Sequence, residues 1–290
     1  MPTAINYWIL ATRPKTLAAS LAPVIMGLVL ASSYVNILNR YAAITLLCAM
    51  LIQIGTNLAN DYYDFKKGTD TKKRKGPTRM AQAGFIKPTQ LKNVAITLFS
   101  LAFTFGLILV YKGGLPILFI GIISIICGFW YTAGPIALAY IGLGDLFAFL
   151  FFGPIAVSGT YYIQTLTLHP NVIILGSGIG LLATALITVN NIRDIEEDKQ
   201  NKKNTLIVRF GTPFGKIEYM SCLFLSCYIL YTHIPPSNTL LLALIPYILC
   251  NIHNSYKLLT STGKALNKVL AQTGFLIISY AIIMTLSFTV

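Results

Sequence analysis

The sequence predicts an all-α protein that crosses a lipid bilayer several times. Three observations lead to this fold class. The 290 residues have a mean hydropathy of +0.69 and 55% of them are hydrophobic, whereas only nine are Asp or Glu. Long uncharged windows recur along the chain, and the basic residues fall mainly between them. Because one soluble core could not bury this much apolar surface, the expected solvent is the bilayer.

Nine windows of mostly uncharged residues have the length of a membrane-crossing helix, about 17 to 25 residues. They cover residues 17–35, 41–59, 93–111, 115–131, 143–163, 171–189, 218–233, 239–256 and 274–290. Ahead of the first window, Ile5, Trp8 and Ile9 recur at helical spacing, which indicates a helix at the membrane interface. We expect all of these segments to form one domain, residues 1–290.

The basic residues predict how the chain is oriented in the membrane, because cytoplasmic loops are enriched in Lys and Arg. If the N-terminus is cytoplasmic, only Arg40 and Lys112 of the 22 basic residues fall on the opposite side. We therefore expect a cytoplasmic N-terminus, in a bacterial inner membrane. The positive face would attract anionic lipid headgroups or an anionic substrate, and we expect no nucleic-acid partner.

Acidic residues are concentrated in two of the cytoplasmic connections, which hold seven of the nine. The first connection, 57-NLANDYYDFKKGTD-70, starts where the second window ends. If the helix continues through it, Asn57, Asp61 and Asp64 share one face. An amide and two carboxylates would then line one side of a helix at the membrane surface.

The second acidic connection, 190-NNIRDIEED-198, starts where the sixth window ends. Asp194 and Asp198 are one helical turn apart, and Asn190 or Asn191 comes one turn earlier. The second motif therefore repeats the arrangement of the first, with an amide followed by carboxylates on one face.

This pattern predicts a magnesium-diphosphate site. Grouped carboxylates repel one another unless cations neutralise them, and Mg²⁺ is usually held by one or two carboxylates plus substrate phosphates. Both motifs are followed by Lys and Arg, which bind phosphate. The alternative is that these are solvated loop charges that set the topology. That alternative explains the basic residues but not the aspartates, of which topology makes little use.

These residues resemble the UbiA superfamily of intramembrane aromatic prenyltransferases, and within it the branch that acts on 1,4-dihydroxy-2-naphthoate. Besides the two acidic motifs, the similar stretches are 11-ATRPKT-16, 76-GPTRMAQAG-84, 130-WYTAGPIAL-138, 142-GLGDLFAFLFFGP-154 and 263-GKALNKVLAQTG-274. A common superfamily pattern, N-x-x-x-D-x-x-x-D, fits Asn60 and Asp64 but meets Gly68 at its last position. Asp70 follows two residues later, and this spacing is similar to that of the naphthoate branch.

The resemblance implies nine transmembrane helices around a central cavity in which the two motifs face each other. It implies Mg²⁺-dependent transfer of a polyprenyl group from polyprenyl diphosphate to dihydroxynaphthoate, with loss of CO₂ and diphosphate. The implied metal set, whose four aspartates are the catalytic residues, is Asn60, Asp61, Asp64, Asp194 and Asp198. The implied substrate-binding residues are Lys67, Arg79, Arg193, Lys202 and Lys203 for phosphate, with Asn57, Asp70, Asp145 and Asn191 as further polar candidates.

Asp70 and Asp145 can each be interpreted in two ways. Asp70 would bind a second metal ion or would hold its loop through basic neighbours. Asp145 follows Gly144 at the start of the fifth window, where it would cap a helix or orient the acceptor.

Three other functions fit parts of the pattern. Prenyl transfer to another aromatic acceptor, such as 4-hydroxybenzoate, would use the same metal site. A CDP-alcohol phosphotransferase would also need aspartates and metal, but its D-G-x-x-A-R motif followed by G-x-x-x-D is absent from the sequence. A secondary transporter would place acids near the middle of the membrane, whereas Asp145 and Glu218 stand at the ends of their windows.

Overall fold

A computed structural model describes residues 3–69, 75–134, 137–233 and 238–289, and in these the chain forms ten α-helices and a short 3₁₀ helix. No strand occurs among these residues, which confirms the all-α class. The helices are α1 (Ala4–Thr12), α2 (Pro14–Ser32), α3 (Asn39–Lys66), α4 (Pro88–Trp130), α5 (Gly144–Phe152), α6 (Pro154–Thr165), α7 (Pro170–Gln200), α8 (Leu206–His233), α9 (Asn238–Thr260) and α10 (Leu266–Thr289), with the 3₁₀ turn Gly263–Ala265 before α10.

The predicted windows coincide with these helices, although two of them fall in α4. That helix breaks at Gly114, where φ is 67° and ψ is −156°. Residues with a Cβ rarely adopt this backbone conformation. In addition, Pro116 has no N–H to continue the helical hydrogen bonds. The windows 93–111 and 115–131 therefore lie on the two sides of a glycine break.

A second glycine divides the predicted window 143–163 into α5 and α6. Gly153 lies so close to α7 that an added Cβ would be 2.6 Å from Cα of Gly180. Since real Cβ atoms do not approach so closely, the absence of a side chain lets the two backbones touch. The junction of α5 and α6 is thus packed directly on α7, the helix that carries the second acidic motif.

Five helical stretches in the described ranges are long and apolar enough to cross a membrane. They are Asn39–Lys66, Pro88–Trp130, Gly144–Thr165, Pro170–Gln200 and Gly263–Phe288. A sixth candidate is the pair Ala4–Thr12 and Thr16–Ser32, which is bent by 51°. Large apolar side chains such as Phe119 and Phe224 are exposed on the outside, where lipid would cover them. The chain is an integral membrane protein, and the full count of nine crossings stays a prediction.

The largest apolar cluster packs α2 and α7 against α8 and α10. Its fully buried members include Met26, Leu182, Tyr219 and Tyr280. The hydroxyl of Tyr280 donates a 3.1 Å hydrogen bond to the carbonyl of Leu175, which satisfies the phenol inside an apolar core. This cluster fixes α7, and a second cluster holds α3 against α1 and α4.

The helix continuation on which the shared face of the first motif depended is present, and the second motif lies wholly on a helix. α3 continues past its apolar window to Lys66, and α7 continues to Gln200. Asn57, Asp61 and Asp64 therefore share the buried face of α3. The two long helices carry their polar ends out of the apolar packing and towards one common cavity.

Candidate active site

One cavity of about 690 Å³ receives side chains from both acidic motifs. Its polar lining includes Asn60, Asp64, Asn191, Asp194 and Asp198. Its apolar lining includes Leu109, Ile117, Phe147, Phe151 and Ile163. On α3 the lining extends from Thr45 to Asp64, roughly 28 Å at the usual helical rise of about 1.5 Å per residue. A carboxylate-rich end is thus continuous with a long apolar chamber.

Asp64 is held on both of its carboxylate oxygens. Arg79 donates to Oδ2 at 2.8 Å, and the Tyr140 hydroxyl donates to Oδ1 at 3.2 Å. Burial and the nearby charge of Asp64 both raise the pKa of Tyr140, so its hydroxyl stays protonated and able to donate. One turn earlier, Asn60 accepts a 2.7 Å bond from the Thr132 hydroxyl. Asn60, Asp64, Arg79 and Tyr140 all line the cavity.

Asp61 faces the loop after α3. Its carboxylate accepts the backbone N–H groups of Met80 at 2.9 Å and Ala81 at 3.3 Å, and the residue is 2% exposed. Asp61 is not among the described residues that line the cavity. In this structure Asp61 holds the loop that carries Arg79, and its role as a metal ligand stays a prediction.

Asn57 connects α3 to the junction of α1 and α2. Its amide nitrogen donates to the carbonyl of Thr12 and to the hydroxyl of Thr16, both at 2.9 Å. Gln53 donates to its amide oxygen at 3.4 Å. Asn57 lines the cavity as predicted for a substrate-binding residue, but its amide hydrogens serve the protein's own packing.

The second motif contains a fully buried ion pair between neighbours. Arg193 donates from Nε and Nη2 to the two oxygens of Asp194, at 2.7 and 2.6 Å. The same guanidinium donates to Asn190 at 2.5 Å and to Asn267 of α10 at 2.7 Å. This bidentate geometry is the strongest that a carboxylate and a guanidinium form.

One turn later, Asp198 pairs with Lys203. The Lys203 ammonium lies 3.2 and 3.4 Å from the two oxygens of Asp198. Asn191 is 4% exposed on the same helix, and all three residues line the cavity. The second motif, with Lys203 shortly after it, therefore brings three carboxylates, two amides and two cations to the polar end, because Asn190 and Glu197 also line the cavity.

The other two predicted lysines lie away from this wall. Lys67 donates to the carbonyl of Thr132 at 2.7 Å, and its ammonium is 3.8 Å from the centre of the Tyr140 ring. Burial lowers the pKa of Lys67, while the negative charge of Asp64 opposes that shift. Lys202 is exposed, and neither lysine is among the described cavity-lining residues. Phosphate binding by Lys67 and Lys202 therefore stays a prediction.

Of Asp145 and Asp70, the two aspartates with two interpretations each, the structure describes only Asp145. α5 begins at Gly144, so its N-cap residue is Leu143 and Asp145 lies in the first turn. Asp145 is 4% exposed, and its Oδ1 has no hydrogen-bond partner among the described residues. Asp70 falls outside the described residues.

Hydrogen bonds link the loop after α3 to the second motif and to α10. Both backbone polar groups of Lys75 are used: its N–H donates to Glu197 at 3.1 Å, and its carbonyl accepts from Asn267 at 3.1 Å. Asn201 donates to the carbonyl of Thr69 at 3.0 Å. The loop after α3 is therefore held against the C-terminal end of α7 and the start of α10, and both motifs line one cavity.

Comparison with known proteins identifies the family. The model of the UbiA prenyltransferase family matches residues 3–279. The chain belongs to the UbiA prenyltransferase family. Among its relatives, the 1,4-dihydroxy-2-naphthoate octaprenyltransferase of Escherichia coli (strain K12) is 40% identical over 222 residues, which cover 74% of this chain and 72% of the relative. The enzyme of the same name in Haemophilus influenzae is 38% identical over 240 residues, 78% of this chain and 77% of the relative.

A solved structure shows that this UbiA family member has the family fold. The UbiA homolog from Archaeoglobus fulgidus bound to DMAPP and Mg²⁺ aligns with a TM-score of 0.66 over 98% of this chain and 99% of its own. At 15% identity the similarity shows the fold alone. It agrees with the all-helical fold expected from the resemblance.

The oxygen donors at the polar end of the cavity in this UbiA family member fit a magnesium ion that takes some of its ligands from the protein and the others from a substrate. No three Asp, Glu, His or Cys side chains in the described ranges form a ready metal cage. Instead, Asp64 of α3 and Asp198 of α7 line the same cavity, each beside a cation. Mg²⁺ commonly takes one or two carboxylates and completes its shell with water and phosphate oxygens.

Sequence reasoning missed several polar residues of this UbiA site. Asn267 and Thr132 lie inside stretches that carried the resemblance, but an isolated amide or hydroxyl has no spacing signal. Tyr140 lies between two such stretches and reaches Asp64 from a loop. Arg13, in the stretch 11-ATRPKT-16, also lines the cavity. Only tertiary packing brings these residues together, so no local pattern could have identified them.

Proposed function

We propose that this UbiA family member transfers a polyprenyl group from polyprenyl diphosphate to 1,4-dihydroxy-2-naphthoate, with loss of CO₂ and diphosphate. The product is reduced demethylmenaquinone, which places the enzyme in menaquinone biosynthesis. The names of relatives at 40% and 38% identity support this acceptor.

The observation that carries the proposal is the continuity of the cavity. A polyprenyl diphosphate has a highly charged head and a long apolar tail. The motif residues at the polar end of the cavity include Asn60, Asp64, Asp194 and Asp198, and an apolar wall lies beyond them. Head and tail can therefore be bound together, with the reacting carbon at the boundary between the two environments.

We assign a Mg²⁺ ion to the polar end of the cavity. The residues that would hold it are Asn60, Asp64, Asp194 and Asp198, with Asp61 retained from the sequence prediction. Its chemistry there is to neutralise negative charge on the departing diphosphate. The bound DMAPP and Mg²⁺ of the Archaeoglobus fulgidus homolog support this assignment.

The chain's own cations are placed to receive the diphosphate. Arg79, Arg193 and Lys203 line the cavity and already pair with Asp64, Asp194 and Asp198. Phosphate oxygens can accept hydrogen bonds from the same guanidinium and ammonium groups. The apolar wall beyond them, for example Phe147 and Phe151, excludes water that would otherwise capture the allylic cation before the acceptor ring does.

The charge distribution supports a membrane orientation. We propose one domain with nine crossings, in a bacterial inner membrane, with the N-terminus and both acidic motifs on the cytoplasmic side. The basic loops would then face anionic headgroups and the cytoplasmic supply of diphosphate. The partners are the donor, the acceptor and the lipid bilayer, with no nucleic acid.

The proposal is tested by prenyl transfer with the full-length protein purified in detergent. A labelled polyprenyl diphosphate is supplied with either 1,4-dihydroxy-2-naphthoate or 4-hydroxybenzoate, each with Mg²⁺ or with a chelator. Product from the naphthoate in the presence of Mg²⁺ only is the expected result. Product from 4-hydroxybenzoate alone would contradict the acceptor but keep the donor site, and no product from either would contradict the proposed function.

A further inference from the structure

Gly121 lies in the part of α4 that follows the break at Gly114, and it lines the cavity. Its backbone is helical, and its φ is not in the left-handed region that would call for a glycine. Among the described residues, no side chain and no atom of another helix would lie within 4 Å of a Cβ added here, its two sequence neighbours aside. Neither the backbone nor close packing therefore requires a glycine at this position.

Close packing does explain another glycine in the same part of α4. A Cβ added at Gly128, which also lines the cavity, would be 2.5 Å from Oγ1 of Thr56 on α3. Since real Cβ atoms do not approach so closely, the missing side chain lets the two helices touch. Gly121 has no such contact, so the packing of α4 on α3 does not account for it.

The open space beside Gly121 belongs to the cavity and not to the lipid. Phe119, Ile123 and Ile126 share the outer face of this helix, and each is 40% exposed or more. At 3.6 residues per turn, Gly121 lies on the opposite face, together with the buried cavity-lining residue Ile117. A side chain at position 121 would therefore extend into the cavity.

This part of α4 runs beside α3 in the same direction. Gly128 lies against Thr56, and four positions later in each segment the hydroxyl of Thr132 donates a 2.7 Å hydrogen bond to Asn60. The offset in residue number is the same in both pairs. The two helices therefore rise together towards the polar end of the cavity.

The same offset places Gly121 deep in the apolar part of the cavity, at the level of Ala49, another lining residue. Asp64 comes 15 residues after Ala49, roughly 22 Å along the helix at about 1.5 Å per residue. A geranyl chain has seven main-chain carbon–carbon bonds of about 1.5 Å, so it spans at most about 11 Å and ends well short of Gly121. An octaprenyl chain has four times as many isoprene units and is long enough to reach it.

We propose that Gly121 determines which prenyl chain lengths the donor site admits. This inference rests on the proposed function and specifies the donor as a long-chain polyprenyl diphosphate. Because Gly121 has no side chain, the tail of a long donor can pass along the helix at this depth. A larger residue would fill space that a packed apolar chain needs, but at a level that a short donor does not reach.

The test compares the parent with Gly121→Leu in the binding of two unreactive donor analogues, geranyl thiolodiphosphate and octaprenyl thiolodiphosphate. The full-length protein is purified in detergent and supplied with Mg²⁺. We expect the Kd of the octaprenyl analogue to rise at least about tenfold in the variant, because its tail competes with the new side chain. The Kd of the geranyl analogue should not change. Gly121→Ala, which adds only a methyl group, should raise the Kd of the octaprenyl analogue by a smaller factor.

Loss of folding is tested separately. Glycine is less favourable than leucine or alanine inside a helix, so both variants should resist thermal unfolding at least as well as the parent. Ile123→Phe is the control for a larger side chain on the same helix. Ile123 is on the lipid-facing side and is not among the described cavity-lining residues, so its substitution should leave both Kd values unchanged.

Each outcome decides the inference. Unchanged Kd values for both analogues in Gly121→Leu would overturn it, because the tail would then not pass this position. An equal loss for both analogues would also overturn it, since the substitution would then act on the diphosphate end. The parent tests the proposed function separately. Binding of both analogues and transfer to the naphthoate by the parent, with unchanged Kd values in the variant, would reject only the role of Gly121, whereas a parent that binds neither analogue would contradict the donor site itself.

Discussion

Arg193 binds its own sequence neighbour, Asp194, through two hydrogen bonds of 2.7 and 2.6 Å. Their side chains are 1% and 7% exposed. Burying two charges costs desolvation energy that their attraction only partly offsets. Removing one partner should therefore destabilise the fold more than removing both, because only the single removal leaves an unpaired buried charge.

This pair gives a prediction about stability. Arg193→Met leaves Asp194 buried without its counter-ion, which should lower the free energy of unfolding by about 3 to 5 kcal/mol. Denaturation in mixed micelles measures the change. Changing both residues, Arg193→Met with Asp194→Leu, should recover much of the loss because no unpaired charge remains.

The control for that experiment is Lys199→Met. Lys199 lies 3.9 Å from Glu196, and the two side chains are 51% and 65% exposed. An exposed pair of this kind contributes at most about 1 kcal/mol. If Arg193→Met were no more destabilising than Lys199→Met, the buried pair would have no special role in stability.

The carboxylates of the two motifs should be required for catalysis and not for folding. Asp64→Asn and Asp198→Asn keep the size of each side chain but remove its charge. We expect each variant to lose at least about two orders of magnitude in kcat, the typical effect of removing a charge that stabilises a transition state. Glu196→Gln, which changes an exposed carboxylate within the second motif, should retain activity. Near-normal turnover by either Asp variant would reject the site.

Asp61 should act first through its loop. Its carboxylate accepts the N–H groups of Met80 and Ala81. In Asp61→Ala both donors lose their partner, so the loop should become more accessible to protease at Arg79, which we would measure by limited proteolysis. Asp61→Asn keeps one acceptor oxygen and should protect the loop better. If the two variants were cleaved at the same rate as the parent, the bonds to Asp61 would not hold the loop.

Asn267 should position both the loop and Arg193. Its amide oxygen accepts from Arg193, and its amide nitrogen donates to the carbonyl of Lys75. Asn267→Leu removes both bonds, whereas Asn267→Asp keeps only the acceptor. We expect kcat to fall in both, and proteolysis after Lys75 to increase in both. Equal kcat in parent and Asn267→Asp would show that the bond to the loop is not needed for transfer.

The fold was predictable because hydropathy sets the position of each helix. The shared face of the first motif depended on α3 continuing beyond its apolar window, and the structure shows that α3 continues to Lys66 and α7 to Gln200. The break of α4 at Gly114 was read as the gap between two windows, since a glycine in an apolar run does not reveal its φ angle.

The site was predictable only where polar residues recur at helical spacing along the sequence. Asp64, Asp194 and Asp198 were found through their i, i+4 spacing, and they line the cavity. The sequence did not show that Asn57 and Asp61 spend their hydrogen bonds on neighbouring loops, because those bonds join residues that are 19 to 45 positions apart. Arg13 was missed for the same reason, because only the folded chain shows that it lines the cavity.

The central claim is that both acidic motifs bind one diphosphate, and a double-mutant cycle on ligand binding tests it most directly. The measurement is the Kd of farnesyl thiolodiphosphate, an unreactive donor analogue, for the detergent-purified protein with Mg²⁺. The four proteins are the parent, Asp64→Asn, Asp198→Asn and the double variant. If the motifs share one metal-diphosphate site, each single change should weaken binding strongly and the double change should add little more. Independent, additive effects, or no effect of one of the two changes, would contradict a shared site.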